Sequence, residues 1–361
     1  MIANDADRPD ARPPRVGRAP SRGSAQRFED VHNRPALAVR GLTTSLRIDG
    51  VWYDAVRDVS FELARGETLA LVGESGCGKS LTAMTIMGLL PAGIGRLSTG
   101  SIHIGEIETS TLDDAAMERI RGDAIGMIFQ EPMSSLNPVL RVGFQIAEPL
   151  IYHRGMSRRE AHERARQLME LVRIPAAADR VDAYPHQFSG GMRQRVMIAL
   201  AIACSPQVLI ADEPTTALDV TVQAQVLELL GGLQREQGLG ILLITHNLGV
   251  VAGNAQRVMV MYGGDVVESA PVRDFFAAPR HPYSVALLAA MPRVDRPASD
   301  LAPIPGQVPS LVAMPEGCRY QGRCPLRIDR CAKLPPLVAV GATGQHQVRC
   351  WVTAPPTGEM S

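Results

Sequence analysis

The sequence predicts an α/β fold around a phosphate-binding loop, with an inserted helical subdomain and a cysteine-containing C-terminal extension. Three observations lead there. Gly73-Glu74-Ser75-Gly76-Cys77-Gly78-Lys79-Ser80 fits the pattern G-x-x-x-x-G-K-[ST]. Apolar runs of strand length alternate with helical stretches from Ala36 to about Val267. After Ala270 the composition turns proline-rich, and four of the six cysteines crowd into that part.

Taken in order, residues 1–34 repeat Arg, Pro, Asp and Ser without an apolar h-region, which reads as a disordered tail and not a secretory signal. Leu37 to Leu46 and Val56 to Leu63 read as early strands, and Glu67 to Val72 as a short buried one. The loop follows, then a helix from Leu81 to Leu90 stopped by Pro91. A strand before and a helix after is the setting in which the loop's N–H groups turn inward around phosphate oxygens. Lys79 then reaches the β- and γ-phosphates, and the Ser80 hydroxyl ligates Mg²⁺. A nucleoside triphosphate is the expected ligand; a plain glycine-rich turn does not explain the flanking elements.

Residues 35–270 form the expected nucleotide-binding domain, with helix formers such as Arg158 to Leu171 marking a helical subdomain over about 130–205. Val208 to Ala211 runs into Asp212, and Ile241 to Thr245 runs up to His246. Two buried strands thus deliver polar residues at their carboxyl ends, where open α/β sheets bind ligands. Residues 271–361, with Pro271, Pro279, Pro282, Pro292 and others beyond, read as a separate extension with little regular helix.

Lys+Arg and Asp+Glu each total 37 of 361 residues, so overall charge gives no attraction to nucleic acid or acidic lipid. No apolar run nears the roughly 20 residues that span a bilayer. Val196 to Cys204 is core-element length. A cytoplasmic chain is expected, and in that compartment the cysteines argue against a disulfide framework.

Asp212-Glu213 at a strand end allows one carboxylate to hold Mg²⁺ and the next to orient a water nucleophile. In Phe188-Ser189-Gly190-Gly191-Met192-Arg193-Gln194-Arg195, Ser189 can cap a helix whose first N–H groups the glycines leave uncovered for an anion.

Together these residues resemble the nucleotide-binding subunit of an ATP-binding cassette (ABC) transporter. The motifs stand in the family's order: Gly73 to Ser80, Gln130 in Ile128-Phe129-Gln130-Glu131-Pro132, the signature Ser189 to Met192, Asp212-Glu213, Ala217-Leu218-Asp219, and His246. The resemblance implies an ABC-type P-loop ATPase core that works as a head-to-tail dimer, with ATP held between one subunit's loop (Gly73, Ser75, Gly76, Cys77, Gly78, Lys79, Ser80, Leu81) and the other's Ser189, Gly190 and Gly191. It implies Ser80, Gln130 and Asp212 around Mg²⁺, Glu213 as general base, and His246 on the γ-phosphate. An upstream aromatic should stack on adenine; Tyr53 is the choice, with Trp52 the alternative. The family's common signature ends in Gln, and Met192 cannot replace its hydrogen bonds.

Phe129 to Pro138, Tyr184 to Met192, and Arg280-His281-Pro282-Tyr283-Ser284 look like the peptide and nickel importer branch, closest to dipeptide and oligopeptide permease ATPases. That implies a second ABC ATPase subunit, two transmembrane permease subunits, an extracytoplasmic peptide-binding protein and a peripheral place on the cytoplasmic face of the membrane. Nickel import, or a soluble cassette ATPase managing DNA ends or ribosomes, are the competing readings. Against the soluble class stand the neutral charge and the lack of a coiled-coil insertion or second cassette.

Cys318, Cys324, Cys331 and Cys350 offer four thiolates, enough for a [4Fe–4S] cluster or a tetrahedral Zn²⁺ site. No C-x2-C pair is present and Pro325 follows Cys324, which favours iron–sulfur; the resemblance points the same way. Cys77 and Cys204 read as packing residues.

Overall fold

The computed structural model describes residues 34–131, 135–216, 218–291, 304–341 and 343–354. The tail expected at 1–34, apart from Arg34, lies outside the described residues, as do Pro132, Met133, Ser134, Ala217 and Pro292.

Strands β1 (Leu37–Ile48) and β2 (Val51–Leu63) form a long antiparallel pair. Next come β3 (Thr68–Val72), helix α1 (Lys79–Ile86), β4 (Gly95–Ile104), β5 (Ile107–Glu108), α2 (Asp114–Ile120) and β6 (Ile125–Ile128). β1 also pairs with β4, which folds back into β5, giving a four-stranded sheet ordered β2-β1-β4-β5.

Helix α1 begins two residues earlier than expected and ends at Ile86, four residues short of Leu90. Gly88 explains the stop. It takes the left-handed conformation (φ 63), and the N–H groups of Gly88 and Leu89 turn back to the carbonyls of Thr85 and Met84. That closes the helix before Pro91 is reached.

After β6 the described residues include the helices α3 (Val142–Arg154), α4 (Arg158–Leu171), α5 (Ala177–Arg180) and α6 (Gly190–Ala201). Ser157 and Glu160 form a reciprocal capping box at the start of α4. Ile146, Leu150, Ala165, Leu168 and Val196 from α3, α4 and α6 meet in one buried cluster.

The chain then returns through β7 (Val208–Asp212), α7 (Val220–Gln237), β8 (Gly240–Thr245), α8 (Leu248–Asn254), β9 (Arg257–Tyr262) and β10 (Asp265–Pro271). Every residue of β3, β7 and β8 is buried, as expected of parallel strands covered on both faces. Among the described residues the larger sheet, with β11 (Val338–Val340) and β12 (His346–Val348) at one edge, runs β11-β12-β10-β9-β3-β8-β7-β6. β3 and β7 flank β8, so the loop after β3, Glu213 after β7 and His246 after β8 emerge side by side.

The extension, expected as a separate unit, is instead joined to the nucleotide-binding domain. It contains α9 (Val272–Ala277) and α10 (Pro282–Ala289), and its β11 (Val338–Val340) and β12 (His346–Val348) join the large sheet through β10. The prolines do not oppose this. Pro271 caps α9 and Pro282 takes the first turn of α10, where an N–H has no helical partner. Glu268 of β10, fully buried, accepts the N–H groups of Arg280 and His281 at 2.8 Å each and faces His346 Nε2 at 2.7 Å. One carboxylate thereby ties β10, the approach to α10, and β12.

Candidate functional site

A cavity of 310 Å³ opens over the phosphate-binding loop, lined by Ser75, Gly76, Gly78, Lys79, Ser80 and Leu81 on one side and by Gln130 and Glu213 on another. The N–H groups at the start of α1 precede the first intrahelical acceptor and so suit an anion. Lys79 Nζ folds back on the carbonyls of Gly73 and Glu74, at 2.9 Å each, where a phosphate can take over those donors. Cys77 is buried beneath the loop with its Sγ 3.7 Å from Lys79 Nζ, and Cys204 is buried in the helical core.

Asp212 closes β7 with 4 % exposure, and its Oδ1 is a buried oxygen without a hydrogen-bond partner. Burial pushes its carboxyl above the usual range; Glu213 adds to this, while Ser80 and Lys79 oppose it. An orphaned acceptor beside the Ser80 hydroxyl fits a divalent cation, which would supply the missing charge.

Glu213 is the centre of the polar arrangement. Gln130 Nε2 donates to it at 3.0 Å, Thr216 Oγ1 donates at 2.9 Å, and His246 Nδ1 lies 3.1 Å away. Burial alone would raise its pKa, yet the hydrogen bonds of His246 and Thr216, with the charges of His246 and Lys79, outweigh it and hold the carboxyl low. Its backbone is left-handed (φ 48) and fastened by its N–H to the Ile244 carbonyl at 2.9 Å. Thr216 escaped the sequence reading; its place three residues after Glu213 was the available signal.

Ser189, Gly190, Gly191 and Met192 line a different cavity of 420 Å³, with Asp219 and Arg195. Ser189 caps α6. The single chain therefore does not bring the signature to its own phosphate loop. Met192 packs against the helical core, and its Sδ lies 3.6 Å from Arg180 Nη1.

Tyr53 is not among the residues that line the loop cavity. It pairs across β1 with Leu46, and the neighbouring Trp52 is covered by the Arg96 guanidinium at 4.2 Å. Away from the loop the cavity is bounded instead by Leu46, Ala55, Gly263 and the extension residues Pro309, Leu311 and Met314. The extension also reaches the loop directly: Arg323 donates to both oxygens of Glu74 (2.6 and 3.1 Å), and Tyr283 Oη accepts the Glu74 N–H at 2.9 Å. No spacing rule in the sequence pointed to these contacts.

Among the described residues no three His, Cys, Asp or Glu side chains stand as a ready metal-holding group. The Cys318 N–H donates to the Cys331 carbonyl at 2.9 Å, and burial, with the other three thiols adding, pushes the Cys318 thiol up to about 12.

Comparison with known proteins agrees with this geometry. The "ABC transporter" family pattern matches residues 56–216, and the pattern "Oligopeptide/dipeptide transporter, C-terminal region" matches 267–331. The dipeptide transport ATP-binding protein DppD of Bacillus subtilis is 48 % identical over 316 residues, covering 88 % of this chain and 94 % of DppD. The oligopeptide transport ATP-binding protein OppD of Salmonella typhimurium is 51 % identical over 285 residues, covering 79 % of this chain and 84 % of OppD. Among solved structures, the dimeric ATP-binding cassette MJ0796 bound to ADP and Pi aligns with a TM-score of 0.59 and 30 % identity, over 66 % of this chain and 99 % of MJ0796. A chain identical to these proteins at about half of the aligned positions, along most of their length, and carrying both the cassette and the extension, belongs to the ATP-binding protein family of oligopeptide and dipeptide ABC transporters.

Proposed function

We propose that this chain is the ATP-hydrolysing subunit of a peptide importer, and that it works as a head-to-tail dimer with a second cassette ATPase. The convergence of Gln130, Thr216 and His246 on Glu213 at the mouth of the loop cavity carries the reading. In it, the loop amides and Lys79 hold the phosphates. Ser80, Asp212 and Gln130 surround Mg²⁺, which supplies charge neutralisation when bound. Glu213, kept ionised by its neighbours, orients and deprotonates the attacking water, and His246 contacts the γ-phosphate.

The separate signature cavity supports the dimer: Ser189, Gly190 and Gly191 line a cavity apart from the phosphate loop of their own chain. MJ0796 is described as a dimer after hydrolysis, and the same arrangement here would let ATP tie two subunits and hydrolysis release them. The segment from Gln130 to Tyr152 is the proposed contact with two transmembrane permease subunits, which receive peptide from an extracytoplasmic binding protein. It exposes Val139, Phe144 and Tyr152, an apolar surface such a partner would cover. No helix among the described residues is long and apolar enough to cross a membrane, which suits a peripheral subunit on the cytoplasmic face. Peptide is favoured over nickel because the extension itself matches the oligopeptide/dipeptide pattern.

A [4Fe–4S] cluster on Cys318, Cys324, Cys331 and Cys350, or zinc in its place, belongs to the same proposal. Its support is the donor chemistry of four thiols, with Cys318 and Cys331 joined by a backbone hydrogen bond of 2.9 Å and Cys318 and Cys324 packed against one buried cluster. Protein purified without oxygen is expected to carry iron, acid-labile sulfide and visible absorption. Absence of all three would remove the cluster.

The importer itself is tested by recovering the tagged chain from native membranes in mild detergent. A second cassette ATPase and two permease subunits should accompany it, with ATPase activity stimulated by peptide and its binding protein; only soluble or nucleic-acid partners would refute transport.

Two side-chain predictions follow from the site. His246→Ala removes the leading hydrogen bond that lowers the Glu213 pKa, so that pKa rises and the acid limb of the kcat profile moves to higher pH. An unmoved limb would detach His246 from the base. Met192→Gln should change turnover by less than about twofold, because the backbone donors at Gly190 and Gly191 are unaltered. A larger gain in steady-state ATPase would show that the side chain matters.

A further inference from the structure

The loop cavity has two unlike ends. Gln130 and Glu213 mark the end where the terminal phosphate must lie if the proposed ATPase reading holds, since the reacting group has to meet its base. With the phosphates fixed on the loop, the nucleoside points toward the other end. That end is bounded by carbon: Leu46, Ala55, Pro309, Leu311 and Met314. A flat, largely apolar base gains most where it covers such carbon, and the polar groups of the loop offer it nothing equivalent.

We propose that the C-terminal extension provides the wall on which the nucleotide base rests, through Leu311 and Met314, in place of an aromatic ring. The candidate rings are elsewhere: Tyr53 does not line the cavity, and Trp52 is occupied by Arg96. Leu311 opens a short helical turn, 311–313, that lies against β2, and both Leu311 and Met314 are half-buried, leaving part of each surface to a ligand.

The wall is fastened at both ends of its attachment. Arg57 of β2 grips Asp265 with two hydrogen bonds (2.9 and 2.6 Å) and donates to the carbonyls of Glu316 (2.7 Å) and Gly317 (3.1 Å). Arg319, almost fully buried, donates to the carbonyls of Asp54 at 2.6 Å and of Gly263. Met314 Sδ sits so close to the Gly263 turn that a Cβ there would stand 3.2 Å from it. Two guanidinium groups thus hold residues 314–319 against the strand and turn that frame the base end. Side chains fixed this way meet a ligand at little cost in ordering.

The test compares ligands with and without a base on the full-length chain. Dissociation constants for Mg²⁺-ATP and for inorganic tripolyphosphate are measured for the wild type, for Leu311→Ala/Met314→Ala, and for Met314→Leu. The double variant is expected to lose on the order of tenfold in ATP affinity, from the apolar contact removed, and nothing for tripolyphosphate. Met314→Leu should bind ATP as the wild type does. Unchanged ATP affinity in the double variant, or an equal loss for both ligands, would overturn the wall while leaving the ATPase reading intact. A wild type that binds neither ligand would overturn both.

Discussion

Glu213→Gln should bind ATP and fail to turn it over, with kcat reduced on the order of a hundredfold or more. The substitution keeps the volume and one carbonyl acceptor, so Thr216 Oγ1 and Gln130 Nε2, now at 2.9 and 3.0 Å from the carboxylate, can still find a partner. What it removes is the basic oxygen that faces His246 at 3.1 Å. Affinity should hold, because the proposed phosphate carrier Lys79 bonds to the Gly73 and Glu74 carbonyls and not to Glu213. The backbone makes the position hard to replace from nearby. A left-handed non-glycine residue costs about 1–2 kcal/mol, and the structure retains one here with its N–H bonded to Ile244. Parallel measurement of steady-state ATPase and nucleotide affinity decides the matter: near-normal turnover would remove Glu213 as the base, and lost binding would make it a structural residue of the cavity. Since the variant should hold ATP unhydrolysed, it is also the form in which the dimer is best sought.

The parts of this site that were legible in the sequence are those where chemistry fixes both residue type and spacing. The loop had to be glycine-rich with Lys79 and Ser80 at its end, and an all-apolar run such as Val208 to Ala211 had to be a buried strand delivering Asp212. What escaped was non-local. Pro91 marks a stop for helix α1 in the sequence, but Gly88 has already turned the chain before it. Residue type alone favours Tyr53, and type says nothing about which wall of a cavity a ring reaches. Proline counts are local and suggest a separate appendage, whereas the Glu268 carboxylate and the pairing of β10 with β12 join residues some 80 positions apart. Arg323, which grips Glu74 from a position between two cysteines, lies beyond any motif.

Gly264→Ala is expected to be the most damaging single methyl group in the nucleotide-binding half of the chain. Gly264 is the second residue of the β9–β10 turn, with φ 88, and its own backbone is fully engaged. Its N–H donates to the Cys77 carbonyl at 2.8 Å, and its carbonyl accepts the Arg57 N–H at 2.9 Å. A Cβ there would overlap the Ala55 carbonyl oxygen and stand 2.6 Å from Arg319 Nη1. Neither neighbour can move freely, since Ala55 lies within β2 and Arg319 is held by the carbonyls of Asp54, Ala55 and Gly263. The left-handed backbone costs about 1–2 kcal/mol with a side chain and the overpacking about 1–3 more, so a loss on the order of 2–5 kcal/mol should appear in the denaturant midpoint. ATP affinity should fall as well, because the bond to Cys77 braces the phosphate loop from beneath. Gly50→Ala is the matched control: its φ is 83, but no heavy atom lies within 4 Å of the added methyl. It should pay the backbone cost alone and leave ATP binding untouched. Equal destabilisation by the two variants would mean that the turn is not packed against β2 as described, and the brace beneath the loop would then have to be sought in Val56 and Met261, the other groups against Gly78.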